Sequence, residues 1–196
     1  MRTFYTADLH FGHRNIIGYC GRPYANVDEM NEALIDNWNL VVKPEDEVYV
    51  LGDVALGKIA ETLPLVQRLN GDKFLVPGNH DRCWDGHSRV RDRDREMYEE
   101  VGFSILPSWW WYTLPLPDGD VERVRVSHMP YVGDSHDNDR YAEHRPVDSG
   151  HWLLHGHVHE KWVKNDRQVN VGVDAWDYKP VSANVLGAII TGRLIV

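Results

Sequence analysis

The chain has 196 residues, 42% of them hydrophobic and 26% charged, with a formal net charge of -9. That length can build one real core, no run approaches the roughly 20 apolar residues that span a bilayer, and the acidic balance argues against a surface that grips a long polyphosphate backbone. Two cysteines without CxxC spacing argue against a disulfide framework and fit the reducing cytoplasm, and the first residues carry no signal-peptide run.

Thr3 to Ala7 reads as a short buried strand ending in Asp8-Leu9-His10-Phe11-Gly12-His13. Asn26 is placed to cap a helix, with Glu29 as its capping-box partner, and Met30, Leu34, Trp38 and Val41 follow at helical spacing. Glu47 to Leu51 gives a second strand, stopped by Gly52-Asp53. Lys58 to Leu69 reads as helical, bent at Pro64, and Gly71 ends the unit. Lys73 to Val76 is a third strand, broken by Pro77-Gly78-Asn79-His80-Asp81. Strand, loop bearing Asp or His, helix, strand is β-α-β order, which sets the class as α/β.

Ser88 to Val101 reads as an exposed helix in which Arg91, Arg93 and Arg95 alternate with acids. Trp109 to Leu116 and Glu122 to Ser127 flank a turn-rich stretch, as in a hairpin. Further strands are expected at Trp152 to Leu154, Lys161 to Lys164, Gln168 to Val173 and Val185 to Val196. Between His128 and His151 lies a long polar segment without periodicity, and the loop from Pro130 to Gly150 within it is expected to govern substrate choice. No repeat or linker divides the chain, so residues 1–196 are expected to form a single domain.

Eleven histidines are the anomaly of the composition. Five clusters stand at or just past expected strand ends: Asp8-Leu9-His10, Gly52-Asp53, Gly78-Asn79-His80-Asp81, Ser127-His128 and Gly156-His157-Val158-His159. In open α/β sheets the carboxyl ends of strands gather on one edge, so distance in sequence is no obstacle to a shared site. The donors are oxygen and nitrogen without thiolate, a set suited to manganese, iron or zinc rather than calcium. A pair of ions needs a bridging carboxylate, and Asp53 is the candidate, with Gly52 letting the backbone come close.

In this order, D-x-H, G-D, G-N-H-D, a lone H and G-H-x-H resemble the calcineurin-like metallophosphoesterase superfamily, from Asp8 to His159. The stretches Asp8 to Ile17 and Asn170 to Asp174 resemble its small bacterial and bacteriophage members. The resemblance implies a four-layer α/β/β/α sandwich with two mixed sheets. It implies one metal on Asp8, His10, Asp53 and His159 and another on Asp53, Asn79, His128 and His157. It gives His80 the phosphate contact or leaving-group proton, with Asp81 orienting it. Two divalent ions, manganese foremost and iron, zinc, nickel or cobalt as alternatives, about 3.5–4 Å apart, hold a bridging water and lower its pKa toward neutrality. That water attacks as hydroxide, with His80 as general acid. The ions, Asp8, Asp53 and one hydroxide sum to about +1, so a small anionic ester is attracted to an acidic protein.

The expected activity is hydrolysis of a small phosphodiester or phosphomonoester, foremost a nucleotide and including cyclic nucleotides. A polynucleotide nuclease and a non-catalytic protein-binding scaffold are the alternatives; the first lacks a basic groove and the second is at odds with a complete ligand set. His13 and Asn15 fit either a turn hydrogen bond or a place behind the ligands or on the phosphate. Arg14 and Arg82 fit a phosphate clamp or plain surface positions, and Asp174 a supporting carboxylate or a turn. His151 and His155 read as structural, while His87, His136 and His144 read as solvent-facing. Trp84, Tyr131 and Trp176 are candidates for lining a pocket, and Trp109 to Trp111 for alternating core and surface contacts.

Overall fold

The computed structural model describes residues 1–90, 92–137 and 140–196. In chain order the elements are β1 (Thr3–Thr6), α1 (Ile16–Tyr19), α2 (Val27–Val41), β2 (Glu47–Val50), α3 (Ile59–Thr62), β3 (Asp72–Leu75), α4 (Asp92–Glu100), β4 (Phe103–Ile105), β5 (Trp109–Pro115), β6 (Val121–Ser127), β7 (Leu153–His155), β8 (Lys164–Asn165), β9 (Gln168–Asn170), β10 (Val181–Ser182) and α5 (Ala183–Ile190).

Alternation along the first strands decides the architecture. Phe4, Val48 and Val50 point into one core with the helices, while Tyr5, Tyr49 and Leu51 point into another between the sheets. β1 to β4 pair in parallel, and β10 adds antiparallel to β1, giving the order β10-β1-β2-β3-β4. The second sheet runs β5-β6-β7-β9-β8, with parallel pairs at β6/β7 and β7/β9 and antiparallel pairs at both edges. Its Leu114, Val124, Val126, Leu154 and Val169 meet Tyr5, Leu51 and Val76 across the inner core. These are the two mixed sheets of the expected α/β sandwich.

Helix α2 forms where its cap predicts. The Asn26 side chain accepts from the Glu29 amide at 2.9 Å, and Glu29 accepts from the Ala25 amide at 2.9 Å. Met30, Leu34, Ile35 and Trp38 then lie on one buried stripe against the first sheet. At about 3–5 kcal/mol for emptying a buried Trp site, Trp38 is a principal anchor of that layer.

Several boundaries differ from expectation. Val185 to Val196 is not a strand: the Ser182 hydroxyl caps the Val185 amide, and Leu186 and Ile189, three apart, enter the inner core from α5. The expected strand at Lys161 to Lys164 shrinks to β8, because the Asn170 side-chain amide takes the carbonyls of His159 and Trp162. Gln168 to Val173 divides into β9 and a short turn at Val173–Ala175. The helix from Lys58 becomes one α turn and then a 3-10 turn, Leu63–Arg68, with Pro64 at its start. α4 begins at Asp92, and Arg91 of that expected helix lies outside the described residues, as do Asn138 and Asp139 of the 130–150 loop. Among the described residues no helix is long and apolar enough to cross a membrane. Of the Trp109 to Tyr112 run, Trp109 and Trp110 are exposed, Trp111 lies under Arg123 and Arg125, and Tyr112 packs on Tyr5 and Tyr49.

Candidate metal centre

Asp8 and His10 follow β1, Asp53 follows β2, Asn79 follows β3, His128 follows β6, and His157 and His159 follow β7. The loops knit together by backbone bonds: the Asp8 amide donates to Gly52, His10 to Asp53 and Gly156 to His128, at 3.0–3.1 Å. Residues far apart in sequence are thereby brought to one edge of the sandwich.

The backbone there is unusual. Asp8, His10, Asp53, His157 and His159 all have left-handed φ, between 51° and 72°. Each such non-glycine residue costs on the order of 1–3 kcal/mol unless its surroundings hold it, and such residues cluster at functional sites. Close packing supplies part of that hold. A Cβ on Gly52 would stand 2.6 Å from both the Gly78 backbone and His128 Nδ1, and one on Gly78 would stand 2.4 Å from Asp53 Oδ1. Only glycine lets the β2 and β3 loops meet.

Asp53 Oδ2 is the hub. It lies 3.6 Å from His10 Nε2, 3.5 Å from His128 Nε2 and 4.0 Å from His80 Nε2. Asn79 Oδ1 lies 3.1 Å from His128 Nε2. Ligand atoms of Asp8, His10 and His159 all fall within 4.8 Å of one another, as do those of Asp8, Asp53 and His128. Asp8 also accepts the His157 amide, at 3.0 and 3.2 Å to its two oxygens. Both ring nitrogens of His10 are buried without a hydrogen-bond partner. Buried polar atoms are rarely left so, and unpaired imidazole nitrogens beside buried carboxylates fit divalent cations with oxygen and nitrogen preference.

The electrostatics follow from burial. Desolvation pushes the Asp8 carboxyl up to about 6, although His159 and His128 pull the other way. For Asp53 desolvation also raises, yet His128 and His80 prevail and hold it below the usual carboxylate range. Burial and the neighbouring His159 hold His10 well down, and burial and His128 bring His157 to about 3. His159 resists burial because Asp8 and Asp174 face it, so its pKa is raised.

The residues around the hub divide. Asp174 is inside: its Oδ2 lies 3.0 Å from His159 Nδ1, and Arg22 grips both its oxygens at 2.8 and 2.9 Å. Arg22, which nothing in the sequence singled out, is 3% exposed and also donates to the Asp8 and Leu9 carbonyls. Asp134 is the second residue not anticipated, with Oδ2 3.2 Å from His157 Nε2. Asp81 departs from expectation: its carboxylate accepts the amides of Asp53, Val54 and Gly78 at 2.8–3.0 Å and the Tyr98 hydroxyl, so it braces the Asp53 loop instead of orienting His80.

A cleft of about 310 Å³ opens over the hub, lined by His10, His13, Asp53, Asn79, His80, His157 and His159 together with Arg140, Lys161, Ile16, Tyr19, Cys20 and Leu56. His13 therefore belongs to the site. Arg14, Asn15 and Arg82 do not: they are exposed, Arg14 beside Ile17 and Ala25 and Arg82 beside Arg93 and Met97, and among the described residues Arg140 is the arginine in the cleft. Trp84, Tyr131 and Trp176 do not line it either; Trp84 packs on His87, Tyr141 and His144, Tyr131 reaches the His151 carbonyl and Trp176 the Asn170 carbonyl. His155 is buried against Trp162, while His87, His136 and His144 are exposed, His136 at the cleft's rim.

Comparison with known proteins identifies the family. The family profile for calcineurin-like phosphoesterases matches residues 1–161. An uncharacterized protein of Methanocaldococcus jannaschii, MJ1445, is 30% identical over 206 aligned positions, covering 100% of this chain and 96% of that protein. The Gene 66 protein of Mycobacterium phage D29 is 35% identical over 182 positions, covering 88% of each. Among solved structures, a protein of unknown function from Aquifex aeolicus, AQ665, superposes with a TM-score of 0.67 at 25% identity, covering 96% of this chain and 99% of its own.

Proposed function

Because this chain belongs to the calcineurin-like phosphoesterase family, we propose that residues 1–196 act as one cytoplasmic unit that hydrolyses a small phosphate ester, phosphodiesters before monoesters, with nucleotides and cyclic nucleotides the first class to test. The observation that carries the reading is the position of Asp53 Oδ2, nearly equidistant from imidazole nitrogens of two different loops, at 3.6 and 3.5 Å. Asp8, His10, Asp53 and His159 would hold one divalent ion and Asp53, Asn79, His128 and His157 a second, manganese being the first candidate, then iron, zinc, nickel or cobalt. Bound there, the ions would supply Lewis-acid charge for the phosphate oxygens and bring the pKa of a water toward neutrality.

The chain's own groups supply the remainder. The His80 amide donates to Asp53 Oδ1 at 2.9 Å, which fixes its backbone, while its side chain is 42% exposed toward the cleft. To it we assign the proton given to the departing oxygen, a role typically contributing about 100- to 10,000-fold. Arg140 offers charge to a phosphate oxygen, and Ile16, Leu56 and Tyr19 add apolar lining to the cleft. A cleft of about 310 Å³ stands at the small end of ligand sites, and with a net charge of -9 it favours a compact ester over a polymer.

The test is turnover of bis-p-nitrophenyl phosphate, p-nitrophenyl phosphate and a nucleotide panel by ion-loaded protein, with Asp53→Asn as control. Faster diester than monoester turnover in the wild type, and none in the variant, is expected. Wild type no faster than Asp53→Asn on every substrate would overturn the reading.

A further inference from the structure

The two histidines of Gly156-His157-Val158-His159 each meet a carboxylate from elsewhere in the chain. His159 Nδ1 has Asp174, which is held by Arg22. His157 Nε2 has Asp134 at 3.2 Å, at ion-pair distance but not aligned as a hydrogen bond. The Asp134 side chain is 2% exposed. It accepts from the His136 and Arg140 amides at 3.0 Å and from the Arg140 guanidinium at 2.9 Å, and Arg145 pairs with it at 3.3 Å. Two arginines and two amides around one carboxylate hold it ionised and fixed.

We propose that Asp134 is a positioning residue: its fixed carboxylate, 3.2 Å from His157 Nε2, favours the proton on that nitrogen and leaves Nδ1 as the nitrogen presented to the ion shared with Asp53, Asn79 and His128. This rests on the metal-centre reading above. A carboxylate behind a ligating imidazole fixes ring orientation and raises its basicity, and losing it typically weakens the metal roughly 10- to 100-fold. Here the two carboxylates divide the work, Asp174 behind the first ion and Asp134 behind the second. Because Asp134 is also the anchor of Arg140, the side chain that faces substrate and the imidazole that faces the ion share one support.

Calorimetric titration of manganese into metal-free wild type, Asp134→Asn, Asp134→Glu and Asp174→Asn tests this without reference to turnover. Expected are two ions in wild type, a second ion weakened roughly 10- to 100-fold in Asp134→Asn with the first unchanged, partial recovery in Asp134→Glu, and the reverse loss in Asp174→Asn. In nitrogen NMR of the cadmium-loaded protein, the metal should couple to Nδ1 of His157. Unchanged second-ion affinity in Asp134→Asn, or coupling at Nε2, would overturn the proposal while leaving the metal centre standing. A wild type that takes no second ion would overturn both.

Discussion

Asp53 holds its place through three independent constraints: a left-handed backbone, an amide tied to Asp81, and an Oδ1 that accepts the His80 amide. Its other oxygen faces His10 and His128, and a neutral amide at that position removes charge with little change of shape. His80 is fixed through its backbone amide, and its ring, edge-on to His10, stays accessible. His80→Ala should therefore retain both ions by elemental analysis and lose kcat, by roughly 100-fold or more on alkyl esters and far less on p-nitrophenyl esters, whose leaving group needs no proton. Loss of an ion in that variant would reassign His80 as a ligand. At this scale six of the seven proposed donors are legible from a short motif beside glycine or at two-residue spacing, and His128 only from its place just past a strand end. Arg22 and Asp134 were not, because Gly21-Arg22-Pro23 looks like any surface turn and Asp134 is one acid among several in an aperiodic stretch. Only folding gives them partners 152 and 23 residues away, Asp174 and His157.

The strands that deliver the site were legible as four or five apolar-rich residues cut short by Gly-Asp or Pro-Gly, a pattern in which the buried run and its abrupt end carry the same message. α5 was not, since Val185 to Ile190 is a continuous apolar run that suits a buried strand as well as a helix; the Ser182 cap and the inner core decide it. Asp81 was assigned by motif to its neighbour His80, whereas the fold turns it inward under β2. Its carboxyl is pushed up to about 6, first by burial and then by Asp53, and it satisfies three amides that would otherwise be buried unpaired. Asp81→Asn should cost about 2–4 kcal/mol in urea denaturation and weaken ion binding through the Asp53 loop. Stability within about 0.5 kcal/mol of wild type, the size of a surface substitution, would show that the brace is dispensable.

Across the whole molecule, the site edge and the opposite edge answer to pH differently. At the far edge Asp46 accepts the Arg2 amide and guanidinium at 2.7 Å and the Lys43 amide at 3.0 Å, and the Arg2 contact draws its carboxyl down to about 2. A depressed carboxyl adds stability that is present above its ordinary value near 3.8 and lost as pH falls toward 2. Thermal unfolding of Asp46→Asn should show a lower Tm than wild type at pH 6 and a gap that closes between pH 4 and 2; a gap independent of pH would contradict that linkage. On the proposed reading, the acidic total charge and the buried imidazole nitrogens fit one scheme, a surface that repels long polyanions and a cleft that would attract a small one once cations are bound.

The most direct measurement is anomalous diffraction from crystals of the chain grown with manganese, collected for wild type and Asp53→Asn. Two peaks about 3.5–4 Å apart flanking the Asp53 carboxylate in wild type, reduced to one or none in the variant, is the predicted result. A single peak in wild type, or a pair that does not touch Asp53, would contradict the account.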